Sequence, residues 1–279
     1  MPGSRLRQAS LRTPDGAVVE YGVLGAGSTP VLSIPGANDG ARTLRGTFSA
    51  LLPLYRRYPP TCRVLLMRRR APLPDGFTAR AIARDYAQAI EALRLGPVHV
   101  EALSAGGGIG LWLALDRPDL VRSLLLLSTT AHADVELKGV VRRWIAWTRA
   151  GRRYALQRDS LRRMLPAEQW RRLRPLLPLF WLRSLLTQDR LRLQAVLAAA
   201  CDFDLRPELA RITCPTLVLG GTADGLVRPA LQDALAAGIP GARQVLLPGH
   251  GHLASVEAPA EHLRQVRYLH ALAEWALRD

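Results

Sequence analysis

Val98-His99-Val100-Glu101-Ala102-Leu103-Ser104-Ala105-Gly106-Gly107-Gly108 reads as a short apolar strand that runs straight into a glycine-rich helix start, with one serine at the junction. The first amides of a helix have no intrahelical carbonyl to bond, so a hydroxyl at that boundary either caps them or stands free for chemistry. Ala102 and Gly106 are the residues two places before and two places after Ser104. Small side chains at that spacing let a sharp strand-to-helix turn close, because the two positions approach each other. The pattern alone is equally a buried helix cap, and the flanking chain has to decide.

Outward from this turn, short apolar runs alternate with helical stretches. VLSI (Val31 to Ile34), VLLM (Val64 to Met67), LLLL (Leu124 to Leu127) and TLVL (Thr216 to Leu219) read as strands buried on both faces, as in a parallel sheet. Between Thr78 and Leu95 the residues Ile82, Tyr86, Ile90 and Leu93 recur at three or four, giving one apolar stripe that stops at Gly96-Pro97. Alternation of this kind implies an α/β fold: a doubly wound, mostly parallel sheet flanked by helices with right-handed crossovers. From about His132 to Leu205 the alternation stops. That stretch carries Trp144, Trp147, Trp170, Phe180 and Trp181 among leucines and arginines at helical intervals, and it reads as an inserted helical cap. The expected organisation is therefore a core of residues 1–131 and 206–279 with a cap at 132–205. The sheet resumes at Cys214-Pro215, and Ser255 to Leu277 reads as a closing amphipathic helix.

On these residues the chain resembles the α/β-hydrolase family, in its serine-nucleophile, cap-bearing members. That family holds its nucleophile in a G-x-S-x-G turn, and here the turn reads A-L-S-A-G with Ala102 in place of the first glycine. The resemblance implies the order nucleophile, acid, base along the chain. It puts the acid at Asp224, in the loop Gly220-Gly221-Thr222-Ala223-Asp224-Gly225 at the carboxyl end of a late strand. An Asp-Gly pair is also ordinary turn chemistry. The base falls on Gly251-His252, ahead of Glu257-Ala258-Pro259, with His250 as its rival. A serine hydroxyl needs such a base, and the base needs a carboxylate to fix its tautomer. The implied oxyanion donors are the amides of Ala105 and of Ala37, the latter in Pro35-Gly36-Ala37-Asn38, where Pro35 replaces the family's histidine. Asn38, His132, Trp144 and Trp181 are candidate substrate contacts, and His262 and His270 are expected to be structural.

The implied activity is a serine hydrolase, carboxylesterase-like, acting through an acyl-enzyme on an ester, thioester or amide-like carbonyl of a partly apolar small molecule, with no cofactor and no metal. Alternatives on the same fold are an acyltransferase, a carbon-carbon hydrolase, a cofactor-free lyase or oxygenase, and a non-catalytic ligand-binding protein. An aspartate nucleophile is disfavoured by serine at position 104. One departure stands out: many relatives carry Asp-x-Arg-Gly-x-Gly-x-Ser after the second parallel strand, where this chain has Arg68-Arg69-Arg70-Ala71-Pro72-Leu73-Pro74. A second oddity is Glu101, a carboxylate in a strand that should be buried, which calls for an Arg or His partner.

Among 279 residues the formal net charge is +15, and Lys138 is the one lysine among 38 Lys and Arg. Near-complete use of arginine points to compositional bias rather than a built polyanion site, so no nucleic-acid partner is expected. Cys62, Cys201 and Cys214 show no CxxC spacing, which fits a reducing compartment. With no apolar leader in MPGSRLRQASLRTPDG and no run long enough to span a bilayer, the expected location is cytoplasmic, without membrane insertion. Assembly as a homo-oligomer is left open.

Overall fold

One twisted sheet orders the chain as β1-β2-β4-β3-β5-β6-β7-β8. Its strands are β1 (Arg7–Arg12), β2 (Val18–Leu24), β3 (Thr29–Ile34), β4 (Cys62–Met67), β5 (Val98–Leu103), β6 (Val121–Leu127), β7 (Thr216–Gly221) and β8 (Arg243–Leu247). The computed structural model describes residues 6–37, 44–74, 76–179, 182, 189–201 and 203–276, so Asn38 and Trp181 lie outside the described residues. β3 to β8 pair in parallel, as the apolar runs imply. β1 and β2 add an antiparallel edge on β4, and β8 extends the far side. Mixed polar and apolar residues, as in RQASLR of the exposed β1, give no buried-strand signal.

Side chains of the central strands alternate between two cores, as a pleat requires. Leu32, Ile34, Val100, Ala102, Leu124 and Leu126 face one side, against α2 (Ala79–Ala92), α3 (Gly107–Asp116) and α8 (Pro229–Gly238). Val31, Val64, Leu66, Leu125, Leu217 and Leu219 face the other, against α1 (Leu44–Tyr55) and α10 (Pro259–Trp275). α2 starts where the sequence suggested: Thr78 is its N-cap, accepting from the Ala81 amide, and Gly96 follows its end at φ +69°. The closing helix is two, since Pro259 ends α9 (Ala254–Glu257) and opens α10.

Between β6 and β7 the chain makes a helical excursion: α4 (Val135–Arg149), α5 (Arg153–Met164), α6 (Ala167–Leu173) and α7 (Arg190–Ala199). It has its own apolar core, in which Leu137, Val141, Trp144, Leu156, Leu193 and Leu197 meet Val227 and Leu231 of the segment after β7. No helix among the described residues is long and apolar enough to cross a membrane.

The α10 side of β5 is polar. Glu101 and Ser33 are register neighbours there, and both are buried. Ser33 bonds the Tyr55 hydroxyl at 2.5 Å. Tyr58 donates its hydroxyl proton to Glu101, so the partner is a tyrosine where an Arg or His was expected. His262 Nε2 lies 2.8 Å from the same hydroxyl and 4.0 Å from Glu101. Burial lowers His262 to about 4, so it is neutral near pH 7 and the contact is no ion pair. Two residues earlier, His99 stacks on His270 with ring centroids 3.7 Å apart, and burial lowers them to about 3 and about 4.

Burial raises Glu101 to about 7 against an ordinary 4.5, opposed by the Tyr58 hydrogen bond. A raised folded-state value means that the native chain holds a proton the unfolded chain has released, so stability present below pH 4.5 is lost as pH rises through 7. Glu101→Gln cannot titrate. It is expected to raise stability at pH 8 by roughly 2–3 kcal/mol and to change it little at pH 4.5, measured as urea midpoints at both values. An equal difference at the two pH values would remove the buried carboxylate as its cause.

Candidate active site

Adjacent loops part where strand order reverses, and in open α/β sheets that crevice lies at the carboxyl ends of the strands. Here β3 is flanked by β4 on one side and β5 on the other. The loops after β3 and β5 therefore diverge around one crevice, and Ser104 stands in it. Its backbone is at φ +50°, in a region L-residues avoid by about 1–2 kcal/mol. Packing holds it there. A Cβ on Gly106 would lie 2.7 Å from the carbonyls of Ile34 and Pro35, and one on Gly107 would lie 2.0 Å from Thr129 Oγ1. Thr129 donates its hydroxyl to the Ser104 carbonyl at 2.7 Å, a support with no signal in a motif centred on the serine.

Ala102 stands where the G-x-S-x-G turn has its first glycine, without opening the turn. It is fully buried, and its Cβ points at Gly110 of α3, where an added Cβ would come within 2.8 Å. The methyl group on the strand thus matches the missing one on the helix.

Three loops converge on the serine. His252 Nε2 lies 2.9 Å from Ser104 Oγ, and His252 Nδ1 lies 2.8 Å from Asp224 Oδ2. The other Asp224 oxygen accepts the amides of Leu226 and Val227, both at 2.9 Å, which turns Oδ2 toward the ring. Both His252 and Asp224 are buried. A carboxylate on Nδ1 fixes the tautomer with its proton there, leaving Nε2 free to accept from the hydroxyl. His250 is turned to its own loop: its Nδ1 lies 2.9 Å from the Pro248 carbonyl, and its carbonyl accepts the Ala223 amide.

The helical excursion reaches both of these loops through its backbone. At the end of α5 the carbonyl of Met164 accepts the His252 amide at 2.8 Å, and that of Arg163 accepts the Gly225 amide at 2.9 Å. Gly251 is required there, since an added Cβ would sit 2.2 Å from the Met164 oxygen. Carbonyl partners carry no side-chain signature, so these contacts were not legible beforehand.

Gly36 abuts Ser104, an added Cβ lying 3.3 Å from Ser104 Cβ and 3.8 Å from Oγ. Ala37 follows it, partly packed on the excursion's apolar core. Ala105 lies in the 3-10 turn Ser104–Gly106 that leads into α3, so its amide is among those with no intrahelical carbonyl. Ala105 thus adjoins Ser104 directly, and Ala37 adjoins the Gly36 that packs on it.

The candidate substrate contacts fare differently. Trp144 is taken up by packing: its ring is buried in the excursion's core and its indole N–H donates to Asp159 at 2.7 Å. His132 lies where the chain leaves β6, bridged to Asp204, and burial lowers its imidazole below the ordinary value. An open hollow of about 1140 Å³ lies between excursion and core, walled by Leu73, Phe77, Trp112, Ile145 and Phe203, with Ser104 not in its lining. Among the described residues no three His, Cys, Asp or Glu are grouped to hold a metal ion.

A family model described as alpha/beta hydrolase fold matches residues 59–259. The chain is 30% identical over 204 residues to the protein named "Putative carbamate hydrolase RutD" of Klebsiella pneumoniae (strain 342), covering 66% of this chain and 70% of that one. It is 27% identical over 197 residues to "Putative non-heme bromoperoxidase BpoC" of Mycobacterium tuberculosis (strain ATCC 25618 / H37Rv), covering 66% and 72%. Among solved structures it is similar to a hydrolase from Pseudomonas aeruginosa PA01, with a TM-score of 0.78 and 29% identity over 96% of this chain and 99% of that one.

The fit of Ala102 against Gly110 is open to a direct test. Gly110→Ala is expected to destabilise by about 1–2 kcal/mol although alanine is the better helix former, and Ala102→Gly on that background to restore most of the loss. Additive effects of the two substitutions in denaturation midpoints would show that the methyl groups do not compete.

Proposed function

The chain belongs to the α/β-hydrolase fold family, and from that premise we propose that it is a serine hydrolase whose nucleophile is Ser104, base His252 and orienting acid Asp224. The observation that carries this reading is the unbroken hydrogen-bond path from Ser104 Oγ through both nitrogens of His252 to Asp224. Serine hydroxyl, imidazole and carboxylate in that order are what proton removal from an alcohol near neutral pH needs.

In the proposed cycle Ser104 Oγ attacks the substrate carbonyl while His252 Nε2 takes its proton. The negative charge on the carbonyl oxygen is met by the amides of Ala37 and Ala105, the second reinforced by the dipole of α3. Asp224 stabilises the imidazolium through Nδ1. Collapse of the tetrahedral species returns the proton from His252 to the leaving group and leaves an acyl group on Ser104. A water molecule, deprotonated by the same imidazole, then releases the acid.

The substrate class proposed is a carbonyl bearing a heteroatom leaving group: ester, thioester or amide-like. The name carbamate hydrolase, borne by one relative, describes a carbonyl of that kind. Residues 132–205 act in this reading as a cap, because their main chain fastens the loops of the acid and the base.

Hydrolysis of a p-nitrophenyl ester series by wild type, Ser104→Ala and Asp224→Asn tests the assignment. Loss of about 10⁴-fold or more in kcat is expected in each variant at unchanged thermal stability. Turnover by Ser104→Ala within tenfold of wild type would move the chemistry to another group.

A further inference from the structure

The three arginines after β4 part company in the structure. Arg68 pairs with Glu20, and Arg70 with Asp15 and Asp85, so both serve the antiparallel edge and α2. Arg69 turns the other way and is only 2% exposed. Its Nη1 donates to the Gly36 carbonyl at 3.1 Å and its Nη2 to the Pro35 carbonyl at 3.3 Å. Those two carbonyls belong to the loop that lies against Ser104.

The geometry of the peptide unit gives this clamp a chemical consequence. The Gly36 carbonyl and the Ala37 amide are two ends of one planar trans peptide, so they point in opposite directions and turn together. A fork of donors holding the carbonyl on the Arg69 side thereby sets where the Ala37 N–H points on the other. Holding both Pro35 and Gly36 fixes two successive peptide planes and leaves little room for the second to rotate. A cationic donor on the carbonyl also polarises the peptide and strengthens its N–H as a donor. Arg69 is itself held: its carbonyl accepts from Arg192 Nη2 at 2.5 Å, and the next one, of Arg70, from Arg192 Nη1 at 3.0 Å. Arg192 belongs to α7 of the helical excursion.

We propose that Arg69 is a positioning residue that aims the Ala37 amide at the developing oxyanion, and that Arg192 couples that aim to the helical excursion. This rests on the serine-hydrolase reading above. Arg69 stands at the variable place of the Asp-x-Arg-Gly turn to which Arg68-Arg69-Arg70-Ala71 corresponds.

Arg69→Met keeps the buried stem and removes the donors, whereas Arg69→Lys keeps one cationic donor. With p-nitrophenyl acetate, kcat is expected to fall about 10- to 100-fold in Arg69→Met with KM within about threefold, and to be intermediate in Arg69→Lys. Affinity for a phenylboronic acid, whose tetrahedral adduct on Ser104 places an oxygen at the oxyanion position, should fall by the same factor as kcat/KM. Arg192→Met, which leaves the clamp itself in place, should lose about 3- to 10-fold in kcat. A folded Arg69→Met whose kcat stays within twofold of wild type, or whose loss lies in KM alone, overturns the proposal. If Arg69→Met does not fold, unchanged kcat and boronate affinity in both Arg69→Lys and Arg192→Met overturn it. Ser104→Ala assayed in parallel keeps the two readings apart. Wild-type turnover that does not need Ser104 sinks the serine-hydrolase assignment and this one with it, whereas Ser104-dependent turnover untouched by Arg69 sinks only the clamp.

Discussion

The left-handed backbone of Ser104 is the constraint from which the site is built. Nothing in the serine favours that conformation, so the surroundings have to impose it. They do so by excluding side-chain atoms: the carbonyls of Ile34 and Pro35 fill the space a Cβ on Gly106 would need, and Thr129 fills that of Gly107. The Thr129 hydroxyl then ties the serine carbonyl to the loop after β6. Strands on both sides of β5 thus fix the turn, and the hydroxyl is presented to the crevice between the loops after β3 and β5.

Around that fixed point the other groups are held largely by main chain. The His252 and Gly225 amides end on carbonyls of α5, and Asp224 is oriented by two amides of its own loop. Backbone partners change little with side-chain identity, which makes such a scaffold tolerant of sequence drift in the excursion while its geometry stays constant. The excursion has a core of its own, and that core includes Val227 and Leu231 beside the acid loop.

Much of this was legible in the chain. Buried strands announce themselves as unbroken apolar runs, and the order of Ser104, Asp224 and His252 along the sequence matches the order in which three strand ends supply them. The edge hairpin gave no such signal, because β1 is exposed along nearly its whole length and β2 mixes buried, half-buried and exposed positions. For Trp144 the sequence is ambiguous, because an aromatic residue at helical spacing looks the same whether it lines a chamber or fills a core, and in the fold its ring is buried in the excursion's core. The partner of Glu101 was invisible for another reason: Tyr58 lies 43 residues away and His262 more than 150, and only the folded sheet brings them to one face. Some of the arginines are paired locally, since Arg163, Arg172 and Arg228 of the excursion and its neighbour each meet a carboxylate, but the net charge is the excess that such pairs leave over.

In the proposed mechanism the nucleophilicity of Ser104 belongs to its hydrogen-bonded pair with His252 at 2.9 Å rather than to either residue alone. A fluorophosphonate reports that property in one step, since it reacts with an activated serine and leaves a covalent mark. Mass spectrometry of the native chain after reaction should show one phosphonate per molecule, located on the peptide containing Ser104 and absent when His252 is replaced by alanine. A phosphonate on any other residue, or full labelling of Ser104 without His252, would contradict the proposed pairing of serine and imidazole.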